Sequence, residues 1–287
     1  FDTLFTRLMD SMCDKEHSVR SCLTRSSPSL DPKKLALDEL FSVAELSLQF
    51  QLIQLKLWAI GALDTVLNGP NSPLRNAANQ TFIRALRVAH AYNRMDLSTS
   101  IQRKWITRLH WRELSPLPAL LLAEQLELRN LLSHAYFIHL VSLPKVAQHC
   151  QAEGALISEQ PSKPFPLTSP LTMQQRTHLL AGFYSLTAYW KWLRTNPPSI
   201  TRSPQCKRHQ QCLAAWRTRW IVACEKVNPD PSDADIFQKL KVVEEALKED
   251  RLVQACLTPD CWTEALHAIS RKRTEASNHL HHHFDLS

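Results

Sequence analysis

Apolar side chains return every three or four residues along most of the chain, the spacing that gathers them on one face of an α-helix. Over 37–50 the stripe is Leu40, Val43, Ala44 and Leu46; over 53–67 it is Leu57, Ile60, Leu63 and Val66. The same period predicts helices over 80–92, 99–111, 117–126 and 131–143, then over 172–193, 206–225, 233–249 and 259–281. A short amphipathic helix is expected over Phe1–Met12, with Leu4, Phe5, Leu8 and Met9 on its apolar side. No segment predicts a strand.

Breaks between these segments carry recognisable helix starts and stops. Asp31-Pro32, Ser115-Pro116 and Thr258-Pro259 each place a polar cap before a proline at the first helical position. Thr172-x-x-Gln175 is a capping-box pattern, and Ser232 is the expected N-cap of the 233–249 helix. Gly69-Pro70 and Pro197-Pro198 end helical runs. Four prolines between Gly154 and Pro170 mark that stretch as a linker. The expected organisation is an N-terminal helix and loop (1–34), a helical-hairpin domain (35–153), a linker (154–170) and a C-terminal helical domain (171–287). The fold class is all-α: stacked short helices or helical hairpins, in one or two subdomains. Residue-level period matching is too weak to define a repeat.

Composition removes several function classes. The chain has 4 glycines in 287 residues, against roughly 7% in an average protein. Gly61, Gly69, Gly154 and Gly182 are too dispersed for a phosphate-cradling loop, a dinucleotide fingerprint or a nucleophile elbow. The one Asn-Gly pair, Asn68-Gly69, is followed by a proline and does not suit a hairpin. A hydrophobic content of 44% supports a packed core, and no apolar run approaches the roughly 18 residues of a membrane span. Eight cysteines are too sparse for a disulfide scaffold. They read as thiols of an intracellular protein, cytoplasmic or nuclear. The chain begins Phe-Asp-Thr without a signal-peptide pattern and is expected to be a fragment or a processed product.

Charge is segregated. Residues 160–224 hold nine basic residues and no acid; residues 225–266 hold ten acids and five bases. The two blocks either dock on each other or leave the basic block for nucleic acid or an acidic partner. Trp190, Trp192, Trp216 and Trp220 fall in the basic block beside Lys191, Arg194, Lys207, Arg208, Arg217 and Arg219, the mixture that single-stranded nucleic acid uses. The competing reading buries those tryptophans in the core.

The soft ligands of the second half are the strongest chemical signal. Cys206 and Cys212 lie six apart with His209 between them, and Cys256 and Cys261 lie five apart. Cys206, Cys212, Cys256 and Cys261 could converge on a tetrahedral structural zinc, with His209 as a substitute ligand. Against this, Cys212, Trp216, Trp220 and Cys224 also form an i, i+4 stripe that a helix would bury. Cys261, in the first turn of its helix, has the position of an activated thiol, but no base or oxyanion site accompanies it. His279, His281, His282 and His283 read as a polar helix end or a weak surface metal site.

The order of segments resembles BTB/POZ-domain proteins of mushroom-forming (basidiomycete) fungi, in the region after the BTB domain. Phe1-Asp-Thr-Leu-Phe-Thr-Arg-Leu-Met9 looks like the end of that domain. Ser72-Pro-Leu-Arg75, Phe82-Ile83 and Arg87-Val-Ala-His-Ala-Tyr92 are similar to the helices that follow, as are Arg108-Leu-His-Trp-Arg112 and Ala123-Glu-Gln-Leu126. Leu171-Thr-Met-Gln-Gln175, Ala188-Tyr-Trp190, the Cys/His/Trp residues from Cys206 to Cys261, and His281-His-His-Phe-Asp-Leu286 extend the likeness. The resemblance implies a non-enzymatic protein–protein interaction module whose partner the sequence does not name. It also implies oligomers formed through a BTB domain whose body is absent here. The nucleic-acid reading stands as its alternative.

Overall fold

The computed structural model describes residues 35–153, 171–227 and 234–284, with side chains described in the first segment only through residue 143. The expected Phe1–Met12 helix, the 154–170 linker and the Ser232 cap lie outside the described residues. Twelve α-helices and no strand occur among the described residues, in agreement with the all-α expectation. Contacts divide the chain into two compact units, one ending at Ile101 and the other beginning at Gln102.

The first unit holds α1 (Leu37–Gln49), α2 (Ile53–Asn68), a 3-10 turn at Pro73–Arg75, α3 (Asn79–Ala91) and the start of α4 (Met95–His110), within which the division falls. Its core is Leu40, Phe41 and Ala44 of α1 with Ala59, Ile60, Leu63 and Leu67 of α2 and Phe82, Leu86 and Ala89 of α3, all buried. Arg84 fixes α3 against α1, reaching both carboxylate oxygens of Glu45 at 2.7 Å. Tyr92 adds a second tie, its hydroxyl donating to the Ala44 carbonyl at 2.7 Å.

Lengths repeat where residues do not. Helices α1 and α3 each have 13 residues, and α2 and α4 each have 16. Leu37 and Asn79, like Ile53 and Met95, are 42 positions apart. The termination is also shared. Gln51, Asn93, Arg112 and Glu127 have φ between 54° and 58°, and no glycine has positive φ among the described residues. Each follows the cap of a helix. The next amide in each case (Leu52, Arg94, Glu113, Leu128) donates to a carbonyl five residues back (Ser47, Ala89, Arg108, Ala123) at 2.8–3.1 Å. That is the Schellman arrangement, which normally takes glycine in the left-handed position.

A side chain in that conformation costs roughly 1–2 kcal/mol, and a glycine there adds about 0.4–1 kcal/mol of unfolded-state entropy. Gln51→Gly, Arg112→Gly and Glu127→Gly are therefore each expected to raise stability by about 0.5–1 kcal/mol in urea denaturation. Asn93→Gly should gain less, since asparagine tolerates the left-handed region. A loss in the first three would contradict this reading.

The second unit continues with α5 (Pro116–Gln125), α6 (Arg129–Glu153), α7 (Met173–Thr195), α8 (His209–Glu225), α9 (Ile236–Glu249), α10 (Arg251–Cys256), α11 (Pro259–Asn278) and α12 (His281–Phe284). Helix α6 runs ten residues beyond the predicted end at Leu143, through Pro144. A proline forfeits one backbone bond, which a long helix survives when its other turns are paired. The capping box at Thr172 forms as expected, with the Gln175 amide donating to Thr172 Oγ1 at 3.2 Å and the reverse bond at 2.9 Å. Helix α9 starts at Ile236, three residues later than predicted, because Asp235 Oδ1 accepts the Gln238 amide at 3.0 Å. Asp250 caps the unpredicted α10 in the same manner, at 2.9 Å from the Leu252 amide.

Each of α7 to α11 contributes buried side chains. Leu186, Leu193, Trp216, Trp220, Leu240, Val243, Leu247, Val253, Ala265 and Ile269 are all buried. Gly182 permits the close approach of α12: a Cβ there would overlap the Phe284 ring, which stacks on Tyr136 at 5.5 Å. The end of the histidine run is thus docked through His283 and Phe284, while His279 and His282 stay exposed. His283 Nδ1 lies 2.8 Å from Ser185 Oγ, and His178 Nδ1 lies 2.7 Å from the Phe284 carbonyl.

Candidate metal centre

Three elements of the second unit meet at one cluster of sulfur and imidazole. Cys206 lies in the irregular stretch after α7, where its amide donates to the Ser203 carbonyl at 3.1 Å. His209 opens α8 and Cys212 follows three residues later on the same face of its first turns. Cys261 is the third residue of α11, after Pro259 and Asp260. The sulfurs of Cys206, Cys212 and Cys261 all lie within 4.8 Å of one another, and they form the one group of three or more potential metal ligands found among the described residues.

The separations carry chemical information. Cys206 Sγ and Cys212 Sγ are 3.8 Å apart; Cys261 Sγ and His209 Nδ1 are 3.7 Å apart. The three cysteines are buried and His209 is half-buried. Cys256, at the end of α10, is exposed and is not among the converging sulfurs. The predicted set of Cys206, Cys212, Cys256 and Cys261 is thus brought together in three members, with His209 beside them.

The surroundings act on the sulfurs in opposite directions. The first turns of α8 and α11 both start at the cluster, directing free backbone N–H groups and the positive end of each dipole toward it. Thr258 is the N-cap residue of α11 but makes no capping hydrogen bond. Its buried hydroxyl has no hydrogen-bond partner, yet it sits close enough to Cys206 to lower that thiol's pKa, assisted by the Arg208 amide. Burial pushes the Cys261 thiol up to about 11. A buried thiol with a raised pKa lacks the accessible thiolate of a nucleophile.

The stretch leading from α7 into Cys206 is tied down at several points. Ser203 Oγ donates to Asp260 Oδ2 at 2.9 Å, and the Thr201 amide lies 3.4 Å from Glu264 Oε1. Trp216 Nε1 donates to the Pro198 carbonyl at 2.8 Å, and Trp220 Nε1 to the Leu193 carbonyl at 2.8 Å. The stripe Cys212, Trp216, Trp220 and Cys224 is buried as the period predicts. Cys212 belongs to the stripe and the cluster at once.

The basic residues are placed differently. Lys191, Arg194, Lys207, Arg208 and Arg217 are exposed, whereas Arg219 is half-buried and lies 3.9 Å from Asp250. Lys191, Arg194 and Ile221 line one cavity of about 160 Å³ with Thr195 and Cys224. Trp190, Trp216 and Trp220 are buried, and Trp192 alone of the four is exposed, at 51%. Trp192 stacks on Tyr189 at 6.0 Å, with the Lys272 ammonium 5.5 Å from its ring.

An apolar corner on the first unit was not anticipated. Phe50, Leu52, Ile53 and Leu57 expose 56%, 38%, 70% and 64% of their surface. Its sequence signal was the apolar run Leu52-Ile53 directly at a helix break. No helix among the described residues is long and apolar enough to cross a membrane. The chain matches no family model, no curated protein and no solved structure.

Proposed function

We propose that this chain is a non-enzymatic, intracellular protein–protein interaction module, the helical region of a BTB/POZ-like protein. The observation that supports this reading is the apolar corner between α1 and α2. Four large apolar side chains stand open within eight residues, where isolated exposed apolar residues would be ordinary. Covering their exposed portions supplies roughly 4 kcal/mol, and Phe50 is the aromatic anchor such interfaces favour. Exposed Gln51 and Gln54 form a polar rim, as does Lys56, whose ammonium lies 5.4 Å from the Tyr92 ring. The partner is therefore a protein that offers an apolar cleft with polar edges.

The resemblance to the region after a BTB domain points the same way. The nucleic-acid alternative loses support from its aromatic component, since three of the four tryptophans are buried and serve as core. Proximity labelling in cells with the wild-type chain and with Ile53→Asp/Leu57→Asp tests the reading. A discrete set of labelled proteins should be lost in the variant while its circular dichroism is unchanged. Identical labelling by both chains would contradict it. So would retention of an oligonucleotide with a salt slope of roughly −0.7 to −0.9 per phosphate contact.

A further inference from the structure

The geometry points to one zinc ion held by Cys206, His209, Cys212 and Cys261, a closed set of three thiolates and one imidazole. This goes beyond the interaction reading and does not depend on the partner. Zinc bonds of about 2.3 Å to sulfur and 2.0–2.1 Å to nitrogen, at tetrahedral angles, put two sulfurs about 3.8 Å apart and a sulfur and a nitrogen about 3.6 Å apart. The observed 3.8 Å between Cys206 and Cys212 and 3.7 Å between Cys261 and His209 match two of those edges. The three sulfurs lie mutually within 4.8 Å, and the His209 imidazole, just outside that set, must turn toward them to complete the shell. The ligand spacing, Cys206-x-x-His209-x-x-Cys212 with Cys261 from a distant helix, joins the loop, α8 and α11 at a single point.

The donor set selects the metal. Three sulfurs and one imidazole are soft and borderline ligands that suit zinc and disfavour calcium and magnesium, which take oxygen. Four protein ligands leave no open position, so the site is structural rather than catalytic. On binding, the three S–H groups release three protons to solvent, and sulfur and nitrogen lone pairs fill the zinc coordination sphere; nothing is oxidised or reduced. The resulting site carries a net charge of −1, which faces the starts of two helices. The unpartnered Thr258 hydroxyl supplies an outer hydrogen bond to a thiolate.

Metal content and cobalt spectra of the 287-residue chain test this. Purified protein should carry one equivalent of zinc. The chelated protein should take up one equivalent of Co²⁺ with the intense visible bands of a tetrahedral thiolate site. Cys206→Ser, Cys212→Ser and Cys261→Ser should each lose the bound equivalent, and His209→Gln should alter the cobalt spectrum. Cys256→Ser and Cys224→Ser should retain both stoichiometry and spectrum. If a ligand variant fails to fold, the wild-type cobalt spectrum still decides, because it reports sulfur ligation directly. Absence of zinc and of a cobalt spectrum in folded protein would overturn the proposal. So would loss of metal in Cys256→Ser, or a Cys206–Cys212 disulfide found by mass mapping in protein purified under reducing conditions.

Discussion

Trp220→Ala is expected to destabilise the second unit by about 3–5 kcal/mol, the range for deleting a fully buried aromatic side chain. Two losses combine. The indole is completely buried and packs 5.5 Å from Trp216, so truncation opens a cavity that fixed helices on either side cannot close. Its Nε1 also satisfies the Leu193 carbonyl at 2.8 Å, one of the last carbonyls of α7, which has no intrahelical partner to accept from. Trp220→Phe separates the two effects. It keeps most of the apolar contact and orphans the carbonyl, so its loss should be about 1–3 kcal/mol. Trp192→Ala, at an exposed position, should stay within about 0.5 kcal/mol of wild type. Equal losses at Trp192 and Trp220 in urea denaturation would refute the assignment of Trp220 to the core. Since domains are stable by only about 5–15 kcal/mol, Trp220→Ala is also expected to reduce the amount of folded protein recovered.

Acid is expected to weaken the same unit well before its carboxylates protonate. His110 Nε2 and His134 Nδ1 lie 3.0 Å apart in a largely apolar site, with the Phe237 ring 6.0 Å from His110. Burial, followed by the neighbouring His110, pushes His134 down to about 3. Burial lowers His110 too, opposed by Asp235 at the start of α9, and it lowers His139. A histidine whose folded pKa lies below its unfolded value binds fewer protons when folded. Its contribution is complete above pH about 6.5 and is lost as pH falls from there toward the folded value. For His134 alone the loss at pH 5 is roughly 2 kcal/mol relative to pH 8. His134→Gln, which retains a polar group for His110, should remove most of that slope. Unchanged wild-type stability between pH 8 and pH 5, or a slope as steep in His134→Gln as in wild type, would contradict this.

The helices themselves were legible because burial of one face imposes a period that composition cannot hide. Leu40, Ala44, Ile60 and Leu63 were named from spacing and are core residues, whereas Leu57, named with them, is exposed. Caps were legible where the side chain makes the bond, as at Thr172, and misplaced where a neighbour did, as at Asp235. Helix ends were the least visible. Glycine scarcity suggested that proline, serine and aspartate punctuate the chain. In the structure Gln51, Arg112 and Glu127 adopt the left-handed termination themselves, and nothing about those residue types announces it. The 42-residue offset between helix pairs was invisible for a related reason: it is carried by lengths and terminations rather than by residue identities.

The candidate site was half legible. Cysteine pairs drew attention to Cys206, Cys212, Cys256 and Cys261, and a local count treats His209 as a substitute. Choosing between Cys256 and His209 depends on how α10 leads into α11, a matter of tertiary packing. The start of α11 buries Cys261 and leaves Cys256, five residues earlier, exposed. The charge blocks were likewise visible, with docking on each other as one of their two readings, but which basic residues would take part was not. Arg219 and Asp250 do approach, at 3.9 Å, while Lys191, Arg194, Lys207, Arg208 and Arg217 stay exposed.

The proposed zinc centre would join the loop after α7 to the starts of α8 and α11. X-ray absorption at the zinc edge of the purified 287-residue chain tests it most directly. Three sulfur ligands at about 2.3 Å and one nitrogen at about 2.0–2.1 Å are the predicted shell. A four-sulfur shell would mean that Cys256 is recruited in place of His209. A shell of nitrogen and oxygen alone would place any bound zinc on the histidine-rich end of the chain, and either result would contradict the assignment.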